Sequence, residues 1–312
     1  MTPIDPMKPR QGTADKTFSV RFWGVRGSYP TTNPNTANFG GNTSCVEVVV
    51  AGRRFIFDAG TGIIALGQWL SKQKAASPVS YIFLSHTHLD HILGLSFFEP
   101  LLTAGKLTYI LGPGAKRKSL ANRLELLTRT SLFPVALNEL KGDKEIRSLR
   151  GGELLRFNGA DSRPRISRGK PTAALDEQPT ILTHKSAAHP RDGVILYRIG
   201  FQGKSVVYAT DIEQKHGGYP DVIEFARGAD LLIHDAQYLH GEYFSRAKSK
   251  KGWGHSTIEM AAAVAKKAQV KRLALFHHEP LHDDRAMRAI ERHAKRLFPA
   301  TITAREQTTI EL

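Results

Sequence analysis

The heptapeptide Ser85-His86-Thr87-His88-Leu89-Asp90-His91 decides how the rest of this chain is read. It ends a short apolar run, Tyr81 to Ser85, that reads as a strand, so three histidines and a carboxylate fall on the loop at that strand's end. In an extended segment residues two apart point the same way. His86 and His88 can therefore grip one metal ion, while Asp90 and His91, past the turn, face another. A chance cluster of solvated histidines explains this spacing poorly.

Upstream, Phe18 to Trp23, Cys45 to Val50 and Phe55 to Asp58 read as strands between Gly-rich turns, and Gly60 to Ala76 has helical spacing. Downstream, His91 to Leu102 reads as a helix, Leu107 to Leu111 as a strand and Lys116 to Arg129 as a basic helix. Periodicity then fades, which predicts a loop-rich insertion from Pro134 to Lys170. Strands resume at Thr180 to His184, Val194 to Phe201, Ser205 to Thr210, Leu231 to His234 and Arg272 to Phe276, with helices at Ser256 to Ala268 and Asp283 to Leu297. Two strand-rich halves, each carrying helices, predict an α/β fold of two sheets packed face to face with helices outside. Residues 1–17, proline-containing and of mixed charge, read as a flexible tail before a single domain over 18–312.

Composition bounds the function. No apolar run approaches the roughly 20 residues of a membrane span, and the N-terminus lacks the apolar stretch of a secretory signal. The single cysteine, Cys45, cannot form an intramolecular disulfide and reads as a small buried apolar residue, so a reducing, cytoplasmic setting is expected. Lysine and arginine outnumber acids 44 to 29, giving a net charge of +15. The excess concentrates between Ala115 and Lys170 and at Arg246, Lys248, Lys250 and Lys251. Such a field favours an anionic partner, a phosphodiester substrate first and nucleic acid also, over a membrane. The oligomeric state is left open, a homodimer being compatible.

The histidine run resembles the HxHxDH signature of the metallo-β-lactamase superfamily, and other motifs of that family follow in order from Phe18 to Leu297. His189 matches its third histidine, with His184 a competitor; Asp211, an acid ending an apolar strand, its bridging aspartate; and His277 its last histidine, with His278 a competitor. The resemblance implies a four-layer αββα sandwich and two divalent metal ions, one held by His86, His88 and His189, the other by Asp90, His91 and His277, with Asp211 shared. A thiolate-free donor set favours Zn²⁺ and tolerates Mn²⁺ or Fe.

Gly254-His255-Ser256-Thr257, preceded by Leu232-Ile233-His234-Asp235-Ala236, looks like the histidine motifs of the tRNase Z and cyclic-phosphodiesterase branch. That implies His255 as the acid that protonates the leaving oxygen and His234 as a support behind the ligands. Asp90 joins His255 in the catalytic centre as a ligand, since a carboxylate on a dication has little affinity left for a proton. The long arm that tRNase Z carries between third histidine and bridging aspartate is absent, because only 21 residues separate His189 from Asp211. The segments Phe22 to Ser28 and Phe39 to Ser44 resemble superfamily members grouped with phosphoribosyl cyclic phosphodiesterases. The expected activity is thus metal-dependent hydrolysis of a small or cyclic phosphodiester. An RNA-processing endonuclease is the alternative, ahead of an acyl hydrolase or a non-catalytic nucleic-acid-binding protein. In Phe57-Asp58-Ala59-Gly60-Thr61-Gly62 the glycines suit tight turns and close backbone approach rather than a phosphate cradle.

Overall fold

Three separate apolar clusters set the layering in the computed structural model, which describes residues 17–73, 77–114, 119–129, 131–158, 163–169, 177–214 and 218–312. Among these residues the strands are β1 (Phe18–Gly24), β2 (Cys45–Val50), β3 (Arg53–Phe57), β4 (Val79–Phe83), β5 (Leu107–Pro113), β6 (Asp143–Leu149), β7 (Glu153–Arg156), β8 (Arg165–Arg168), β9 (Thr180–Ser186), β10 (Val194–Phe201), β11 (Lys204–Ala209), β12 (Leu231–Asp235), β13 (Leu273–Phe276), β14 (Thr301–Thr303) and β15 (Thr309–Glu311). The helices are α1 (Gly62–Ser71), α2 (Leu89–Ile92), α3 (Glu99–Leu102), α4 (Leu120–Glu125), α5 (Pro220–Ala226), α6 (His240–Tyr243), α7 (Ile258–Lys267) and α8 (Asp284–Leu297).

A seven-stranded sheet, β15-β1-β2-β3-β4-β5-β6, faces an eight-stranded one, β14-β13-β12-β11-β10-β9-β7-β8. Successive strand residues face opposite ways, and the sequence uses both faces. Phe55, Phe57 and Phe83 of the first sheet meet Tyr197, Tyr208 and Phe276 of the second in the central cluster. Their neighbours Ile56, Ile82 and Ile110 turn outward onto Ile63 and Leu66 of α1 and Leu124 of α4. In the second sheet Val207, Leu232 and Leu275 likewise turn onto Val222 of α5, Val264 of α7 and Met287 of α8. Helix, sheet, sheet, helix is the expected αββα sandwich. No helix of the described residues is long and apolar enough to cross a membrane.

Several local expectations require correction. The supposed insertion from Pro134 to Lys170 contains β6, β7 and β8. β6 extends the first sheet parallel to β5, from Leu107 opposite Asp143 to Pro113 opposite Leu149. Both β6 and β8 are edge strands, where charged side chains guard unpaired backbone and no buried alternation marks the sequence. The helix expected over His91 to Leu102 is broken into α2, a 3₁₀ turn at Leu95–Phe97 and α3. Gly94 causes the break: its N–H donates to the Ala59 carbonyl, and a side chain there would meet the Gly60 carbonyl oxygen at 2.2 Å. Of the basic helix, only Leu120–Glu125 is helical, capped by Ser119, and residues 115–118 lie outside the described residues. Residues 1–16 of the expected tail also lie outside them, while the Thr17 carbonyl already accepts from Ala51 N–H.

Candidate metal centre

The site forms where parallel strands of both sheets end. Asp58 follows β3, Ser85 and His86 follow β4, Asp211 follows β11, Asp235 ends β12 and His277 follows β13. Three of these, Asp58, Asp211 and His277, have positive φ of 60°, 52° and 60°, a left-handed conformation that non-glycine residues rarely adopt. Such strain persists only where the surroundings enforce it, and here it swings each side chain inward at a strand end.

Two groups of donor atoms converge. His86, His88, His189 and Asp211 form one, Asp90, His91, Asp211 and His277 the other, and within each the donor atoms lie within 4.8 Å of one another. Asp211 belongs to both: Oδ2 is 3.5 Å from His86 Nε2, and Oδ1 is 3.1 Å from His91 Nε2 and 3.2 Å from His277 Nε2. Asp90 Oδ2 lies 3.1 Å from His277 Nε2 and accepts the Ser28 N–H at 2.8 Å.

Outer partners fix which ring nitrogens face inward. Ser85 Oγ donates to Asp58 Oδ2 at 2.8 Å, so it can accept from His86 Nδ1 at 3.0 Å. His91 Nδ1 donates to Asp58 Oδ2 at 2.7 Å, His277 Nδ1 to Gln237 Oε1 at 3.2 Å and His189 Nδ1 to the Gly254 carbonyl at 3.3 Å. With Nδ1 protonated, each Nε2 presents a lone pair to the cluster, the arrangement by which proteins hold metal-binding histidines. His86 Nε2 is buried with no hydrogen-bond partner, and His91 Nε2 faces His277 Nε2 at 3.2 Å. Ring nitrogens set so close around a shared carboxylate fit a cation in place of protons, and the imidazole and carboxylate donors suit a divalent one.

The carboxylates call for positive charge at this spot: burial disfavours a charged His91, but Asp211, Asp90 and Asp58 outweigh it and raise its imidazole well above the usual value, so a proton or a cation is needed there. Burial opposes the charge of Asp211, but the neighbouring rings, His277 and His91 foremost, outweigh it and hold its carboxyl well below the usual range. Asp90 is held low in the same way, burial being outweighed chiefly by His91 and His277. Burial pushes His86 well down and lowers His88 and His189, which keeps these three imidazoles neutral and able to ligate.

His255 sits beside this cluster in the segment that leads into α7. Its Nδ1 is 2.7 Å from Asp235 Oδ2, and its ring stacks on His277 at 4.8 Å. Burial disfavours its charged form, yet Asp235, with Asp211 and Asp90, raises the imidazole to about 9. His255 also forms a third donor group with Asp211, Asp235 and His277.

The structure therefore brings together His86, His88, Asp90, His91, His189, Asp211, His277 and His255. It sets both competing histidines apart: His184 pairs with Asp221 at 3.0 Å, and His278 Nε2 donates to the Ala304 carbonyl. The support expected of His234 needs correction. Its side chain shares the helix-facing side of β12 with Leu232 and bonds Gln214, whereas Asp58 and Asp235 touch the histidines of the cluster. The signal that marks Asp211, an acid ending an apolar strand, is present at both. The α1 N-terminus is no phosphate cradle, since the N–H groups of Thr61 and Gly62 already bond Thr43.

The Gly24 to Ser28 segment acquires a reason as well. A Cβ at Gly27 would lie 2.3 Å from His277 Nδ1, so Gly27→Ala should tilt that ring. We expect metal affinity to fall at least about 10-fold, as when the support of a metal-bound histidine is disturbed, with circular dichroism unchanged. Full metal content in that variant would place the His277 ring elsewhere.

A family model described as beta-lactamase superfamily domain matches residues 53–278, and the chain belongs to that family. Ribonuclease Z of Archaeoglobus fulgidus is 26% identical over 331 residues, spanning 95% of this chain and 98% of the relative. Among solved structures, the metallo-beta-lactamase fold protein YhfI from Bacillus subtilis superposes with a TM-score of 0.65 at 18% identity, covering 96% of this chain and all of the other. Human tRNase Z, short form, gives 0.60 at 21% identity, covering 94% and 98%. This chain matches all three over nearly its whole length. Between His189 and Asp211 it carries only the β10–β11 hairpin, closed at Gln202-Gly203, where both residues have the positive φ that a tight hairpin turn requires.

Proposed function

We propose that the centre hydrolyses a small or cyclic phosphodiester with two divalent ions, Zn²⁺ being favoured. The observation that carries this reading is the Asp235–His255 pair standing against a two-part cluster that shares Asp211. His86, His88 and His189 would hold one ion, Asp90, His91 and His277 the other, with Asp211 common to both. When bound, such ions supply Lewis acidity toward water and offset the charge of the phosphoryl oxygens. Asp90, bonded by Ser28 N–H and close to His277, serves as a ligand and not as a base. Attack in line with the leaving oxygen builds negative charge there, and His255, held by Asp235, delivers its proton to that oxygen. Cys45, a buried free thiol, fits action in a reducing cytoplasm.

A second reading, an RNA endonuclease, is favoured by the ribonuclease Z relative. Turnover of a bis-aryl phosphodiester, a 2′,3′-cyclic nucleotide, an RNA oligonucleotide and an aryl ester separates the readings, run alongside metal analysis. We expect two ions per chain and hydrolysis of the diesters but not the ester. A fixed stoichiometry of one, or faster ester cleavage, would overturn the proposal.

A further inference from the structure

The segment joining α6 to α7 carries chemistry that neither ligation nor proton transfer uses. It is strapped to the centre by one carboxylate: Glu213, two residues beyond Asp211, accepts from Tyr243 Oη at 2.6 Å, Gly252 N–H at 2.6 Å and Gly254 N–H at 2.8 Å. The Glu213 N–H donates to the Ala188 carbonyl beside His189, which ties the strap to the loop bearing that histidine. Gly254 has φ of 94°, and a Cβ there would meet His189 Nδ1 at 2.5 Å, so the strap runs against the cluster itself.

What this fixed segment displays is aromatic and cationic. Trp253 is 57% exposed, and Lys250 Nζ lies 3.9 Å from its ring centroid. Lys251 Nζ lies 4.7 Å from the ring of Phe244, itself 40% exposed. Tyr238 contacts both Lys250 and the His255 ring, linking the display to the proton donor. A cavity of about 490 Å³ opens between His189 and Lys251. An exposed indole with a lysine ammonium over its ring, and a second lysine over the neighbouring Phe244, sets an aromatic surface and positive charge side by side.

We infer that this strap is the subsite for a nucleobase and its neighbouring phosphate on the substrate: the base stacks on the open face of Trp253 while Lys250 and Lys251 hold the phosphate. Aromatic faces bind any base by stacking, and lysines supply the salt-sensitive attraction to phosphate. The inference rests on the phosphodiesterase reading and narrows it to substrates bearing a base. The base and phosphate have two sources, a strand of RNA or a cyclic mononucleotide.

The test measures binding, so it stands apart from turnover. The zinc-loaded full chain is titrated with an oligouridylate, a 2′,3′-cyclic mononucleotide and inorganic tripolyphosphate, which has charge but no base. Trp23 is buried and Trp69, half-buried on α1, packs against Trp23 and Arg54, so most quenching of tryptophan emission by the base-bearing ligands should be lost in Trp253→Phe while affinity is largely kept. Trp253→Ala should weaken base-bearing ligands roughly 10-fold and leave tripolyphosphate unchanged. Lys250→Ala with Lys251→Ala should weaken all that bind and lower the slope of log affinity against log salt, whereas Arg288→Ala on α8 should change nothing. The stronger of oligouridylate and mononucleotide identifies the source. Equal losses for tripolyphosphate and base-bearing ligands in Trp253→Ala, or unchanged quenching in Trp253→Phe, would overturn the inference. Base-dependent binding without diester hydrolysis would instead sink the reading on which it rests.

Discussion

Asp211→Ala should lose both metal and activity, the first to less than half of the wild-type stoichiometry and the second by more than about 100-fold, beyond what loss of an outer support costs. The reason is its double membership: one carboxylate faces His86 with one oxygen and His91 and His277 with the other, and it is 1% exposed. Removing it takes a donor from both groups and leaves neighbouring cations without a shared anion. The backbone at 211 is left-handed, which asparagine tolerates better than alanine. Asp211→Asn therefore separates lost charge from backbone strain. Elemental analysis beside diester turnover checks both variants, and retention of two ions with wild-type rate in Asp211→Ala would remove Asp211 from the centre.

His255→Ala should keep both ions and discriminate sharply among leaving groups. General acid catalysis is worth roughly 10²–10⁴-fold, and only where the departing oxygen is basic enough to need a proton. Rates on alkyl or ribose diesters should fall by that factor, and those on a bis-aryl diester far less. Asp235→Asn should show the same pattern at roughly 10–100-fold, because Asp235, fully buried, acts through the 2.7 Å contact that holds His255. Equal losses on all substrates with metal intact would make His255 a phosphate-positioning residue. Loss of metal would assign it to the third donor group that the geometry also permits.

What the sequence reveals follows from how far apart the cooperating residues lie. His86, His88, Asp90 and His91 sit within six positions, so one strand and one turn suffice to read them together. Asp58 and Asp235 act on His91 and His255 across 33 and 20 positions, and only the convergence of strand ends shows it. His184 and His189 both follow an apolar run. The difference is that β9 continues to Ser186, which keeps His184 inside the sheet and releases His189 into the loop. The edge strands β6 and β8 leave no periodic signal in the sequence because neither buries a continuous face. β14 and β15 are three residues each and carry no period long enough to detect.

The donor set has a mechanical side. His86, His88, Asp90 and His91 come from the first sheet, whereas His189, Asp211 and His277 come from the second, and each ion-sized group draws on both. An ion seated there is a clasp across the sandwich, so its binding energy also resists separation of the two halves. At a free concentration 100 times the dissociation constant, such a clasp adds about 2.7 kcal/mol to the folded state. Chelation should thus do more than silence the proposed chemistry: it should unfasten the sandwich at the rim where its strands converge, making heat tolerance a readout of ion supply.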